Sequence, residues 1–203
     1  MTEKHKIGIY GGTFSPPHIA HVKACEAFYN KVLPEKLMVI PDFLPPHKEL
    51  DGGADTVDRF EMAKLAFAHI PSVIVSDIEI QRGGRSYTAV TLGELAGEDK
   101  ELYLLCGTDM FLTLDTWYRP DIIFSLATIC YVRRESYREL DVKISLASKK
   151  YLGKYNAKLI PIELDAIELS SSEIRNKIKN GVDVSDLIPE KVSEYINRRG
   201  IYK

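Results

Sequence analysis

Residues 7–21 read IGIYGGTFSPPHIAH, and the fold is decided in this stretch. The apolar run 7–10 reads as a short strand. Two glycines follow it directly, then two prolines and two histidines. Paired glycines after a strand permit a turn that a Cβ would block, and they let a ligand approach the backbone. From residue 18 the spacing changes. Ile19, Val22, Cys25, Phe28 and Val32 recur at intervals of three and four, which predicts a helix over 18–33. A helix that starts at such a turn aims its free N–H groups into it, a natural place for phosphate. His18 and His21 are three apart at the helix start, so both side chains can face one side. Two imidazoles beside a phosphate can donate hydrogen bonds to charge developing on it. The same residues also suit a plain strand-to-helix turn with two surface histidines, and spacing alone does not choose. A His-x-x-His metal pair is the disfavoured reading.

Outward from this stretch the alternation continues. Strands are predicted at 37–40, 73–80, 102–106, 128–132 and 159–164. Helices are predicted at 57–69, 88–96, 108–115, 140–150, 173–179 and 190–198, with a proline- and glycine-bearing loop at 42–56. Strands alternating with helices predict an α/β fold: a Rossmann-like, doubly wound, mostly parallel sheet with helices on both faces. A single nucleotide-handling domain over 1–203 is expected, with 171–203 as a small C-terminal helical part. In such sheets ligands sit beyond the carboxyl ends of the strands, so the residues to inspect are those that follow strands.

Composition sets limits on partners. Apolar residues make up 45% and charged residues 28%, with a formal net charge of -2. That balance suggests neither a nucleic-acid field nor an acidic tail, so any bound anion needs local groups. The three cysteines are Cys25, Cys106 and Cys130, an odd number without a CxxC pair. All three sit in apolar segments and read as buried free thiols, which fits a reducing compartment. No leader is visible, and no apolar run nears the ~20 residues that span a bilayer. A cytoplasmic protein with no membrane partner is expected, and self-association is left open.

A second motif stands near the other end. LSSSEIR, 169–175, follows a strand and opens a helix. Ser170 and Glu173 have capping-box spacing. A serine-rich helix start with an arginine one turn in also suits phosphate oxygens.

With both motifs in view, GGTFSPPHIAH resembles the pattern GGTFDPxHxGH of the HxGH nucleotidyltransferases, and LSSSEIR resembles their ISSTxIR. The resemblance implies that Gly11, Gly12, Thr13 and Phe14 cradle ATP phosphates and that His18 and His21 stabilise the transition state of nucleotidyl transfer. It further implies that Ser171, Ser172 and Arg175 engage the remaining phosphates, Arg175 neutralising the leaving pyrophosphate. Ser15 replaces the pattern's Asp and Ala20 its glycine. The first substitution loses a charge. The second adds a methyl where the family's backbone approaches the nucleotide.

The middle of the chain resembles bacterial nicotinate-nucleotide adenylyltransferases along nearly its whole length: PPHK at 45–48, RFEMAKLA at 59–66, SYTAVTL at 86–92, GTDMFLTLDTWY at 107–118, an arginine pair at 133–134, and LIPEKVSEYINRRGIY at 187–202. Trp117 suits stacking on a cationic pyridinium ring, though a packing aromatic has the same appearance. The resemblance assigns it that stacking role, and gives the acceptor's carboxylate to backbone N–H groups at Thr88 and Tyr118. Gly107 and Asp109 follow a strand, so Asp109 can reach ribose hydroxyls or else cap a helix. Lys48 resembles a phosphate-contacting lysine, and either Arg133 or Arg134 is expected to join it.

The expected activity is transfer of AMP from ATP to nicotinate mononucleotide, giving deamido-NAD and pyrophosphate. Magnesium is expected with ATP, held by phosphate oxygens and water rather than by a protein cage. The rivals are a related transferase acting on nicotinamide mononucleotide or phosphopantetheine, and a nucleotide-binding module with weakened catalysis.

Overall fold

The computed structural model describes residues 4–45, 53–133 and 138–203. The first strand, β1 (His5–Gly12), is central and pairs in parallel with β2 (Lys36–Pro41) on one side and β4 (Lys100–Gly107) on the other. β3 (Val73–Val75) lies outside β2, while β5 (Ala127–Val132) and β6 (Leu159–Ile162) extend the sheet beyond β4. The order is β3-β2-β1-β4-β5-β6, and every pairing among the described residues is parallel. The expected doubly wound architecture is therefore present, with its reversal of strand order between β1 and β4.

Alternate strand residues point to opposite faces, and the core divides accordingly. Tyr10, Val39, Leu105 and Cys130 pack on one face with α1 (Ile19–Val32), α2 (Thr56–Phe67), α8 (Ser171–Lys179) and α9 (Glu190–Arg199). Ile9, Ile40, Leu104 and Ile129 pack on the other with α4 (Thr88–Leu95), α5 (Thr108–Thr113), α6 (Pro120–Leu126) and α7 (Arg138–Tyr155). Burial on both faces explains why the strands read as continuous apolar runs. The C-terminal part belongs to the same core: Ile174, Ile188, Val192, Ile196 and Tyr202 share a cluster with Tyr10 and Phe14. The three cysteines are buried free thiols, as expected.

The predicted helix at 18–33 is α1 with its two caps. His18 is the extended N-cap and Leu33 the left-handed C-cap. One reading needs correction. The run 73–80 is not one strand. β3 ends at Val75, where pairing with β2 stops, and Ile78–Arg82 forms the short helix α3. Asp77 begins that helix: its carbonyl accepts the Gln81 N–H at 2.8 Å and its carboxylate the Gln81 amide at 2.7 Å. The isoleucines of DIEI imitate strand alternation, but the Asp start signal outweighs it. Helix α6 was not anticipated. Pro120 sits in its first turn, a position where proline's missing N–H costs nothing, and the helix buries Ile123 and Phe124. No helix of the described residues is long and apolar enough to cross a membrane.

Candidate active site

A cleft of about 880 Å³ opens where β1 and β4 end. Gly11, Gly12, Thr13, Phe14, His18, His21, Thr88, Gly107, Asp109, Trp117, Tyr118, Ser171, Ser172 and Arg175 all line it. Residues from both ends of the chain and from its middle thus meet in one place.

The glycine turn forms the floor. Nothing lies within 4 Å of where a Gly11 Cβ would stand, whereas a Gly12 Cβ would meet the Phe14 ring at 2.9 Å. Phe14 is 1% exposed, in a left-handed backbone conformation, and its ring meets Tyr10, Phe67 and His21 edge-on. Its side chain is thus core, and what the turn offers a ligand is backbone. His18 and His21 face the same side, their ring centroids 3.7 Å apart. The His18 backbone N–H donates to His21 Nδ1 at 3.2 Å. A nitrogen that accepts carries no proton, so the neutral His21 ring keeps its N–H on Nε2.

Beneath the turn lies a polar network that the sequence did not disclose. Arg59, on α2, is fully buried. Its Nη1 donates to the Thr13 carbonyl at 3.0 Å and to Asp42 Oδ1 at 2.8 Å, and its Nη2 to the Phe43 carbonyl at 3.3 Å. The Thr13 hydroxyl donates to Asp42 Oδ2 at 2.7 Å. Arg59 therefore fixes the turn after β1 to the segment after β2. RFEMAKLA carries the family resemblance and a helix pattern, but neither assigns Arg59 a partner; a lone arginine among apolar positions is the local signal.

The second motif braces the first. Ser170 caps α8, accepting the Glu173 N–H at 3.2 Å, so the capping reading of LSSSEIR holds. The Ser171 hydroxyl donates to the Pro16 carbonyl at 2.9 Å. Arg175 Nη1 donates to the Ser15 carbonyl at 2.9 Å, and its Nη2 to Ser172 Oγ at 3.1 Å. Ser170, Ser171 and Ser172, at the N-terminus of α8, line the cleft beside the glycine turn, and a helix N-terminus favours anionic oxygens.

The opposite wall comes from the middle of the chain. Gly107, not Asp109, is the N-cap of α5. Asp109 stands in the first turn, lining the cleft with its side chain unburied. Trp117 ends a 3-10 turn (Leu114–Thr116) and packs against the core of that face while lining the cleft. Tyr118 is 53% exposed and its ring covers that of Tyr87, centroids 4.5 Å apart. Thr88 opens α4, with Tyr87 at the N-cap position. Glu79 also lines this wall. Burial lifts its carboxyl above the ordinary range, only partly offset by hydrogen bonds from Thr91 and Ser86 and by the Arg82 charge.

Ser15 and Ala20, the two departures from the motif, fall differently. Ala20 is 4% exposed and is not among the residues lining the cleft, so its methyl packs into protein. Ser15 is 6% exposed, and its hydroxyl bonds the Tyr202 phenol at 2.9 Å. Arg133 does not reach the cleft. It lines a separate groove beside β6 and α7 and pairs with Asp141 at 2.9 Å. Lys48 and Arg134 lie outside the described residues. Among the described residues no group of three or more His, Cys, Asp or Glu is placed to hold a metal ion.

Residues 9–177 match the cytidylyltransferase-like family. A probable nicotinate-nucleotide adenylyltransferase of Listeria monocytogenes is 35% identical over 201 residues, covering 98% of each chain. The chain belongs to this family. A probable enzyme of the same name from Staphylococcus haemolyticus is 31% identical over 206 residues, covering 100% of both chains. Among solved structures, the Plasmodium falciparum nicotinic acid mononucleotide adenylyltransferase in complex with NaAD superposes with a TM-score of 0.74 at 18% identity. That match covers 98% of this chain and 97% of the other, and it establishes the shared fold of the adenylyltransferase family.

Proposed function

We propose that the chain transfers the adenylyl group of ATP to nicotinate mononucleotide, releasing pyrophosphate and forming deamido-NAD. One observation carries the reading. A single cleft joins the glycine turn and its histidines, the N-terminus of α8, and the wall of Thr88, Trp117 and Tyr118. The first two suit a triphosphate, and the third suits an aromatic cation bearing a carboxylate. The full-length similarity to nicotinate-nucleotide adenylyltransferases supports the same acceptor.

In this reading the 5′-phosphate of the mononucleotide attacks the α-phosphorus in line. A new P–O bond forms, the α–β bridging bond breaks, and the electron pair leaves on pyrophosphate. Such transfer asks the protein mainly for positioning and charge stabilisation. His21 donates through Nε2–H to the α-phosphate oxygens, with His18 beside it. The amides of the glycine turn and of α8, with Ser172 and Arg175, hold the β and γ phosphates, and the Ser171 hydroxyl holds the turn. Asp109 orients ribose. Trp117 stacks on the pyridinium, and the amides of Thr88 and Tyr118 receive the carboxylate. Lys48 and one arginine of the pair at 133–134 are expected to add positive charge toward phosphate; Arg133's pairing with Asp141 favours Arg134. Asp109 is a hard oxygen donor within the cleft, which suits an ion carried in on the nucleotide and held mainly by phosphate oxygens and water. Magnesium would there neutralise phosphate charge.

The test compares acceptors. Pyrophosphate release with MgATP is measured against nicotinate mononucleotide, nicotinamide mononucleotide and phosphopantetheine. The acid is expected to give the highest kcat/KM. Turnover confined to another acceptor would replace the substrate, and ATP binding with no turnover on any would leave a binding module.

A further inference from the structure

The last residues of the chain reach back to the first motif. Helix α9 is anchored on α2 through Asp58, whose Oδ1 accepts from the Tyr195 hydroxyl at 2.9 Å and from Arg199 Nε at 3.0 Å. Gly200, in a left-handed conformation with φ 66, ends the helix. The Ile201 N–H then turns back to the Ile196 carbonyl at 3.2 Å. This reversal buries Ile201 and Tyr202 instead of leaving a loose terminus. Tyr202 arrives 7% exposed, with its hydroxyl on Ser15 Oγ at 2.9 Å. Its ring and backbone also press on Gly53, where an added Cβ would meet Tyr202 Cδ1 at 3.0 Å and its backbone nitrogen at 3.3 Å. Gly53 follows the segment that carries Lys48, so Tyr202 touches both the glycine turn and the end of that loop.

We propose that Tyr202 is a positioning residue for the ATP phosphates: it does not itself line the cleft, but its bond to Ser15 fixes the glycine turn that does. The proposal rests on the reading of that turn as the ATP site. Ser15 is held on two sides, its carbonyl by Arg175 and its hydroxyl by Tyr202. The serine hydroxyl is an uncharged donor and acceptor, and a buried phenol is a suitable partner because it stays protonated. Burial pushes the Tyr202 hydroxyl up to about 12. The turn's amides address ATP only while the turn keeps its shape, so a contact that never touches the nucleotide still sets the affinity for it.

The experiment is titration of MgATP, without acceptor, into wild type, Tyr202→Phe, Ser15→Ala and the double variant, at a temperature where each is folded by circular dichroism. Tyr202→Phe keeps the ring packed on Gly53 and deletes one hydroxyl. The ATP dissociation constant is expected to rise roughly 3- to 10-fold in each single variant, the net worth of one hydrogen bond. The double variant should be no weaker than the weaker single, because both changes delete the same contact. An unchanged constant in Tyr202→Phe, or additive losses in the double variant, overturns the proposal. A variant with a lower melting temperature alone, and unaltered ATP affinity per folded molecule, would give Tyr202 a purely structural role and overturn it as well. Because no acceptor is present, failure of the wild type to use nicotinate mononucleotide would show up separately, in turnover.

Discussion

The Arg175 guanidinium donates to the Ser15 carbonyl at 2.9 Å, joining residues 160 positions apart at the edge of one cleft. The two motifs are therefore parts of one structure, and Arg175 both braces the glycine turn and lines the site. Lysine would keep the charge and lose the planar fork that reaches Ser15 and Ser172 together. Arg175→Lys is expected to lower kcat/KM for ATP roughly 10- to 100-fold, the range for a lost charged hydrogen bond, with KM for the acceptor unchanged. Steady-state kinetics with each substrate varied in turn checks this.

His18 and His21 make a separate prediction. His18→Ala is expected to lower kcat by roughly 10²–10³, the usual effect of losing one transition-state donor, with the fold retained. His21→Asn preserves an acceptor near the position of Nδ1 for the His18 N–H and removes the donor at the Nε2 position. Its kcat should fall by a similar factor while its melting temperature stays close to wild type. Near-normal turnover in either variant would remove the histidines from the mechanism.

Arg59 carries charge into the core with Asp42 as its partner, 2.8 Å away. Cutting such a buried pair on one side leaves a stranded charge, at a cost of about 3–5 kcal/mol. Arg59→Ala should lose that much in urea denaturation, and Arg59→Ala with Asp42→Ala should lose less than the sum of the singles. Equal, additive losses would mean that the pair does not act as a unit.

What the sequence disclosed and what it hid divide along physical lines. Strands buried on both faces leave continuous apolar runs and an amphipathic first helix leaves a periodic one, so β1, α1 and the parallel order were legible. The glycine turn and Ser170 cap were legible because turns and caps demand particular residue types. Arg59, Asp42 and Tyr202 were not, because their partners are distant in the chain and only the folded sheet brings them together. The strand expected at 73–80 failed where local pattern misled: isoleucines two apart suit a strand, yet β2 offers a partner only as far as Val75.

Trp117 lines the acceptor wall beside Tyr118 and Thr88. If its indole meets the pyridinium, Trp117→Ala removes a contact of about 0.5–2 kcal/mol. KM for nicotinate mononucleotide should rise roughly 3- to 30-fold on that basis, with KM for ATP unaffected. A rise in both, or in ATP alone, would assign the tryptophan elsewhere.

Asp58 links the C-terminal helix to the rest of the fold, and its ionisation sets when that link holds. Burial opposes the charged form, but hydrogen bonds from Tyr195 and Arg199 and from the Asp55 backbone outweigh it, so the carboxyl titrates below its ordinary value. A carboxyl lowered in the folded state stabilises the protein above its unfolded pKa of about 3.9. That contribution is lost as pH falls through the lower folded value. Wild type should therefore lose thermal stability on acidification below about pH 4, partly through this group. Asp58→Asn cannot titrate and offers Arg199 no charge. Its melting temperature should lie below wild type at pH 7, and the gap should shrink as pH drops toward 3. Thermal melts of both proteins across that range decide it: a gap that stays constant with pH would mean that Asp58 holds α9 by shape and neutral hydrogen bonding, not by its charge.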